Sequence, residues 1–213
     1  MPLPRFDKLE PERRQRLLAA AAQEFAAHGL EGASLFRIAE ASGMSKGSLY
    51  YYFEDKADLF ASAVKAAWQK LFAAAEDALD VASLDASSFW PSLRAFHKAI
   101  LARCGQEPWL VAAAKLTYHP DAAGRAGPAL VATLAHAQEL QQRVFRRGQE
   151  LGVVRTDLPE DLLLNVVGAA DQAGDHWVMD HWEALTPEGR AEIAGRLFEI
   201  VRAIATPPAP DHD

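Results

Sequence analysis

The sequence predicts an all-α protein of about nine helices, with a small three-helix head at the N-terminus and a larger helical body behind it. Apolar residues recur at steps of three and four along most of the chain, which is the spacing of one helix face. Capping residues, glycines and prolines divide these stretches into separate helices. No stretch shows the alternation of apolar and polar residues that is typical of a half-buried strand.

The first helix is expected to begin at Pro11, which suits a first turn, and to close at Gly29. Residues 1–9 before it are expected to form a loose arm that carries Arg5 and Lys8. The first turns of this helix hold three arginines. They fit either a solvated helix face or a contact with nucleic-acid phosphates.

Residues 34–56 predict two short helices joined by a tight turn. Ser34 and Ser45 are good N-caps, one for each helix. Gly43 between them supplies the permissive backbone that ends the first helix. Leu49 and Phe53, four residues apart, are expected to anchor the second helix on a small core.

This arrangement is typical of a helix-turn-helix motif, whose second helix enters the major groove of DNA. The residues expected to face outward are Lys46, Gly47, Ser48, Tyr50 and Tyr51. Ammonium and hydroxyl groups of these kinds can bind phosphates or base edges, and a helix N-terminus can hold a phosphate. The alternative is that the aromatic run at 50–53 is simply a core cluster.

The spaced pattern resembles the TetR family of bacterial transcriptional regulators over roughly the first 60 residues. The matching positions are Ile38, Ala39, Gly43, Ser45, Lys46, Gly47, Leu49, Tyr50, Phe53, Lys56 and Leu59. Four positions differ from the residues that the family usually has. The family usually has Thr where this chain has Ser34, Val where it has Met44, His where it has Tyr51, and a polar residue where it has Phe36.

The resemblance implies a homodimeric regulator, a repressor that a small, largely apolar or aromatic ligand releases from a near-palindromic double-stranded operator. It carries over Lys46, Gly47, Tyr50, Tyr51 and Lys56 as DNA contacts. Residue chemistry and position add four more candidates, which are Ser34, Arg37, Ser45 and Ser48. Arg37 fits a plain surface residue equally well.

Behind the head, a long helix is expected over 56–80, followed by helices near 88–104, 107–118, 127–150, 159–182 and 187–205. The predicted domains are a DNA-binding head at 1–55 and a ligand-binding and dimerisation body at 56–206. A Pro-rich stretch at 207–213 is expected to be a disordered tail.

The body also holds candidates for a ligand pocket and a dimer seam. The predicted pocket wall is mostly apolar and aromatic, and consists of Trp68, Phe72, Phe96, His97, Ile100, Trp109, Leu116, Tyr118 and Asp171. The predicted seam lies on the last two helices, at Leu163, Val166, Val167, Ala170, Gly174, Trp177, His181, Ile193, Leu197, Ile200 and Ile204. Each of these residues also fits packing within one subunit.

Charge and composition narrow the function classes. The formal net charge is −7, of which −1 falls in residues 1–60 and −6 in the remainder, so the acidic part lies in the body. The single cysteine, Cys104, excludes an internal disulfide and suits a reducing cytoplasm. No signal peptide and no apolar run of about 20 residues is visible, so no membrane partner is expected.

No catalytic or cofactor motif appears in the sequence, so neither an enzyme nor a bound cofactor is expected. Asp171/Asp175 and His176/Asp180 have a spacing that metal ligands can use, but they fall on different helix faces, and no metal site is expected. Two alternatives stay open. One is a helical binding protein or enzyme with a vestigial head, and the other is a DNA-binding regulator without an inducer.

Overall fold

The structure is a computed structural model that describes residues 2–76, 79–118 and 127–208. The described residues are all-helical, as predicted. They form nine α-helices, namely α1 Pro11–Gly32, α2 Leu35–Ser42, α3 Lys46–Tyr52, α4 Lys56–Glu76, α5 Phe89–Gln106, α6 Pro108–Tyr118, α7 Gly127–Glu150, α8 Glu160–Asp180 and α9 Pro187–Ala205. Short 3-10 helices cover Phe6–Lys8 and Val81–Ser83. Part of the predicted tail, residues 209–213, lies outside the described residues.

Three helices begin at side-chain caps, and the sequence predicts the first two of them. The Ser34 hydroxyl accepts a hydrogen bond at the start of α2, Ser45 does so for α3, and Thr186 does so for α9. Each hydroxyl satisfies one of the N–H groups that a helix start leaves without an intrahelical partner. The start of each of these helices is therefore defined by local chemistry.

Two glycines end helical segments in a left-handed backbone conformation. Gly29 interrupts α1 at φ 67° and ψ 176°, so the regular helix ends where the sequence predicts, although a hydrogen-bonded turn continues to Gly32. Gly43 closes α2 at φ 69° and ψ 30°. A side chain is strained at such φ values, which is why glycine occupies both positions.

The chain divides into two compact units. The first comprises Met1–Phe72 and Arg103–Ala135, and the second Ala73–Ala102 and His136–Asp213. The first unit is larger than the predicted head, since most of α4 and all of α6 belong to it. The functional division at residue 55 stays a prediction, because compactness alone does not assign a function.

The core of the first unit is built by the first four helices together with α6. Its large side chains, each at most 2% exposed, include Leu17 and Phe25 from α1, Ile38 from α2, Leu49 from α3 and Leu59 from α4. Burying a side chain of this size contributes about 1.5–3 kcal/mol. This core holds α3 in a fixed position on the other helices.

Residues 2–9 correct the expectation of a loose arm. Phe6 is 4% exposed and Leu9 is 9% exposed, so both are buried in the first unit. The Leu3 N–H donates to the Tyr52 carbonyl at 2.9 Å. Apolar burial and a backbone hydrogen bond thus attach this segment to the end of α3.

The second unit has its own core, and α8 packs against α9 within it. The buried members of this core are Leu79, Val81, Leu84, Phe89, Val144, Phe145, Val154, Leu163, Val167 and Ala205. None of the helices in the described ranges combines the length and the apolar content that a bilayer-spanning segment needs.

Candidate nucleic-acid interface

Helix α3 has one buried face and one exposed face. Leu49 in the helix and Phe53 just after it are 2% and 3% exposed and anchor α3 on the core. Tyr50 and Tyr51 are 54% and 52% exposed. Lys46 and Gly47 are also exposed, and Ser48 is half-buried. Four of the five residues expected to face outward are therefore exposed and Ser48 is partly so, and the core-cluster alternative is wrong for Tyr50 and Tyr51.

The turn before α3 is fixed by hydrogen bonds to the end of α2. Gly43 N–H donates to the Glu40 carbonyl at 3.1 Å, and Met44 N–H donates to the Ala39 carbonyl at 2.8 Å. The buried Ser42 hydroxyl donates to the same Ala39 carbonyl at 3.1 Å. These bonds set the angle at which α3 leaves the turn, as a helix-turn-helix motif requires.

An open groove of about 430 Å³ lies beside α3. It is lined by Ala33, Ser34, Leu35, Phe36, Lys46, Tyr50, Glu54, Asp55 and Lys56. The Lys46 ammonium is 5.9 Å from the centre of the Tyr50 ring, within the range of a cation–π contact. Lys46 and Lys56 line the groove together with Glu54 and Asp55, so the groove is mixed in charge.

Arg37 is engaged inside the first unit. Its Nε donates to both Glu24 carboxylate oxygens at 2.8 and 3.0 Å, and its Nη2 donates to the Gly32 carbonyl at 3.2 Å. The same carboxylate accepts the Ser34 N–H at 2.8 Å. The hydrogen bond from Arg37 is the largest cause that lowers the pKa of Glu24. Arg37 therefore holds α2 against α1, and its expected contact with DNA stays a prediction.

Lys56 is likewise engaged by the protein. Its Nζ donates to the carbonyl oxygens of Glu31 and Ala33, at 2.8 and 3.2 Å. An ammonium has three donors, and two of them are used here. Lys56 thus ties the start of α4 to the end of α1 and to the connection that follows it, and its expected contact with DNA stays a prediction.

The predicted pocket residues are divided between the two units. In the first unit Trp109 and Leu116 are buried, and the rings of Trp68 and Phe72 stack with centres 5.3 Å apart. The Trp68 Nε1 is buried and has no hydrogen-bond partner among the described residues. The side chain of Tyr118 lies outside the part of the chain that the structure describes.

In the second unit the expected pocket residues are half-buried; they are Phe96, His97, Ile100 and Asp171. The His97 ring meets the Phe198 ring edge-on, with centres 5.5 Å apart. Burial raises the pKa of Asp171, and the charge of His97 opposes this shift. A pocket formed by all these residues stays a prediction.

The buried members of the predicted dimer seam pack within their own unit. Leu163 and Val167 are 0% and 2% exposed in this unit's own core, so a partner could not bury them further. Gly174 is buried too, and a Cβ there would lie 3.0 Å from a methyl group of Leu197. The remaining seam residues that are half-buried are Ala170, Ile193, Leu197 and Ile204.

Other seam residues are exposed. Val166, Trp177 and Ile200 are 44%, 45% and 55% exposed, and the exposed His181 stacks on Trp177 with ring centres 4.1 Å apart. Leu162, at 47% exposure, joins this apolar set, although the sequence reasoning missed it. Its neighbour Leu163 has the same side chain, so only the packing of α8 distinguishes the two.

The candidate metal spacings do not converge. His176 Nε2 lies 3.2 Å from Asp180 Oδ2, and both side chains are about half exposed. Among the described residues, no group of three or more His, Cys, Asp or Glu side chains is placed to hold a metal ion. This pair forms an exposed contact along one helix.

The capped helix α2, the Gly43 turn and the exposed polar face of α3 define a helix-turn-helix protein. A sequence profile described as "Bacterial regulatory proteins, tetR family" matches residues 17–63. The chain is 32% identical over 158 residues to the HTH-type transcriptional repressor AcnR of Corynebacterium diphtheriae, covering 71% of this chain and 73% of that one. It is also 32% identical over 167 residues to an HTH-type transcriptional repressor of Mycobacterium tuberculosis, covering 76% and 80%.

The fold has solved counterparts. The transcriptional regulator FadR from Bacillus subtilis in complex with stearoyl-CoA superposes with a TM-score of 0.71 at 14% identity, covering 89% of this chain and 97% of that one. The chain belongs to the TetR family of bacterial regulatory proteins, whose members are DNA-binding regulators of transcription and not enzymes.

Proposed function

We propose that this regulator is a repressor that binds a near-palindromic operator as a homodimer, inserting α3 of each subunit into the major groove. The observation that carries the proposal is the exposed polar face of α3. Its exposed groups are the Lys46 ammonium, the Gly47 backbone and the hydroxyls of Tyr50 and Tyr51, with the half-buried Ser48 hydroxyl beside them. Both relatives described above are named repressors, which supports the sign of regulation.

Each group on this face has a role that its chemistry permits. Lys46 can donate to a guanine edge or a phosphate, and Gly47 lets the backbone approach the groove floor. Tyr50 and Tyr51 offer hydroxyls to phosphates and ring faces to thymine methyl groups. The N-termini of α2 and α3, at Ser34 and Ser45, can each hold a phosphate. Arg37 and Lys56 support this face by fixing the helices behind it.

The dimer is supported by the exposed apolar side chains of α8 and α9. Leu162, Val166, Trp177 and Ile200 are each between 44% and 55% exposed, which costs free energy unless another surface covers them. A second copy of the chain provides the same surface. Two copies of α3 would then read half-sites about one DNA turn apart. A bacterial regulator that binds operator DNA acts in the cytoplasm, where that DNA lies.

The small-molecule effector is supported by polar groups set among apolar side chains. The buried Trp68 Nε1 has no partner among the described residues, and a ligand acceptor would satisfy this donor. A fold neighbour was solved with stearoyl-CoA, so this fold can accommodate a ligand with a long apolar chain. To shift the ratio of the DNA-incompetent to the DNA-competent state from 1:99 to 99:1, a ligand must bind the incompetent state more tightly by about 5.5 kcal/mol.

In the first step, the purified full chain selects the duplexes that it binds from a random pool. The DNA upstream of its own gene is tested for binding in the same way. Binding of Lys46→Ala and Tyr51→Ala to the enriched duplex is then measured by gel shift, with Lys65→Ala, an exposed lysine on α4, as matched control. Because Lys46→Ala loses a base or phosphate contact, its affinity for the duplex should be about 10-fold or more below that of the wild type. Lys65→Ala should bind as the wild type does.

The salt dependence provides a second readout of the same complex. With about 8 phosphates neutralised per dimer, the logarithm of the binding constant should fall against the logarithm of the salt concentration with a slope of about −7. A flat salt response, or unchanged binding by both Lys46→Ala and Tyr51→Ala, would contradict the groove-docking proposal.

A further inference from the structure

The N-terminal segment, residues 2–9, is attached to the C-terminal end of α3. The Phe6 ring lies 5.9 Å from the Tyr52 ring and 4.8 Å from the Phe53 ring, centre to centre. Leu3 N–H donates to the Tyr52 carbonyl, and Phe6 N–H donates to the Leu3 carbonyl at 2.8 Å. The segment is therefore held at both the backbone and the side-chain level before any DNA is present.

This attachment brings a cation onto the exposed face of α3. The Arg5 guanidinium lies over the Tyr51 ring, 4.3 Å from its centre. Arg5 is exposed and has no carboxylate partner among the described residues. A guanidinium over an aromatic face within about 6 Å gains cation–π energy and stays free to donate hydrogen bonds from its edge.

Arg5 and Lys46 stand at the two ends of this face. Lys46 is the first residue of α3, and Tyr51 comes five residues later, about 7.5 Å further along the helix axis. The major groove is about 12 Å wide. A helix in the groove with a cation near each end can therefore reach the phosphates on both sides of it.

We propose that Arg5 is a further DNA-binding residue, which contacts a backbone phosphate and at the same time orients Tyr51 toward the groove. The inference rests on the proposed function, because it assumes that α3 enters the major groove. Since residues 2–9 are already packed on α3, binding orders little additional chain, and the phosphate contact is made at low entropic cost. Lys8, on the same segment, is exposed without a ring contact in the described residues.

The test compares Arg5→Ala, Arg5→Lys and Lys8→Ala on the duplex selected by the wild-type protein, with Lys46→Ala alongside. Arg5→Ala should bind about 5- to 10-fold more weakly, and its salt slope should be shallower by about 2, one phosphate contact for each subunit of the dimer. Arg5→Lys should keep the wild-type slope and recover part of the affinity, because it retains the charge and loses the planar stacking. Lys8→Ala should change affinity by less than 2-fold.

Several results would overturn this inference. If Arg5→Ala matches the wild type in DNA affinity and salt slope while Lys46→Ala binds the duplex weakly, Arg5 makes no contact with DNA and the proposed function stands. Equal losses for Arg5→Ala and Lys8→Ala would indicate a general charge effect. A lower melting temperature of Arg5→Ala with an unchanged salt slope would assign Arg5 to folding. Unchanged binding by both Arg5→Ala and Lys46→Ala would contradict the proposed role of α3 itself.

Discussion

Glu24 shows how single residues fix the geometry of the first unit. Its carboxylate receives hydrogen bonds from the Arg37 guanidinium and from the Ser34 backbone N–H, so one acidic group on α1 holds both the N-cap and the first turn of α2. The Glu24 side chain is only 11% exposed, which limits its screening by solvent. The placement of α3 depends on α2, and through it on this ion pair.

The pKa of Glu24 leads to a prediction about pH. The Arg37 hydrogen bond lowers this pKa below its ordinary value of 4.5. A depressed folded-state pKa means that the carboxylate stabilises the fold fully above pH 4.5, and that this contribution is lost as pH falls through the folded-state pKa. Glu24→Gln should therefore lower the melting temperature at pH 7, and the gap from the wild type should close below pH 4.5.

The control for this prediction is Glu40→Gln, an exposed acidic residue of α2. It should leave the melting temperature close to that of the wild type across the same pH range. A gap for Glu24→Gln that is as wide at pH 3 as at pH 7 would exclude ionisation of Glu24 as its cause.

The sequence could not predict the polar contacts that hold α2 and α4 on the rest of the first unit. Arg37 and Lys56 are basic residues next to a DNA-binding motif, so the sequence suggests a DNA contact for Lys56 and leaves Arg37 between a DNA contact and a plain surface residue. Their partners, the Glu24 carboxylate and the carbonyls of Glu31 and Ala33, lie 13 to 25 residues away in the chain. Such distant pairings leave no local pattern, whereas the caps at Ser34 and Ser45 act within three residues and were predicted.

At the scale of elements, α3 depends on its neighbours for stability. A helix of seven residues is too short to be stable in water alone. The Ser45 cap, the buried Leu49 and the contact of Phe53 with Phe6 supply what the short helix lacks. Short polar helices of this kind can expose most of their surface to a ligand only because the remaining face is well anchored.

Close packing between helices gives a prediction for the second unit. A Cβ added at Gly148 of α7 would lie 2.4 Å from a Val154 methyl group and 2.7 Å from the Phe89 ring, and both side chains are buried. Gly148→Ala should therefore destabilise the fold by about 1–3 kcal/mol, as overpacking of a core does. Urea unfolding followed by circular dichroism measures the change.

Gly105→Ala is the matched control, because a Cβ there meets nothing within 4 Å and the position is also helical. It should be neutral or slightly stabilising, since alanine favours a helix more than glycine does. Equal stability of Gly148→Ala and the wild type would show that α5 and α7 are not packed as closely as described.

Helix positions were largely predictable, whereas helix faces were not. Caps, glycines and prolines mark the ends of helices in the sequence, so α7 and α9 begin and end at the predicted residues. Successive side chains of an α-helix point about 100° apart around the helix axis, so neighbouring residues of α8 can lie on its inward and outward faces. Neighbours of the same type, such as Leu162 with Leu163 and Val166 with Val167, can be distinguished only by the packing around them.

At the scale of the whole molecule, the negative charge is concentrated outside the segment that carries the helix-turn-helix motif. Residues 1–60 carry a net charge of −1, and the remainder carries −6. The acidic remainder repels DNA phosphates, so under the proposed function binding depends on a few placed cations, among them the proposed contacts Lys46 and Arg5. This makes the salt dependence of binding a property of the head and not of the overall charge.

The most direct test of the central claim is methylation protection of the selected duplex by the wild-type protein. Dimethyl sulfate methylates guanine N7 in the major groove and adenine N3 in the minor groove, so it shows which groove α3 occupies. The account predicts protected guanine N7 atoms in two clusters about 10 base pairs apart or a multiple of that spacing, one for each subunit. Protection confined to adenine N3, or a single cluster without a related second one, would contradict it.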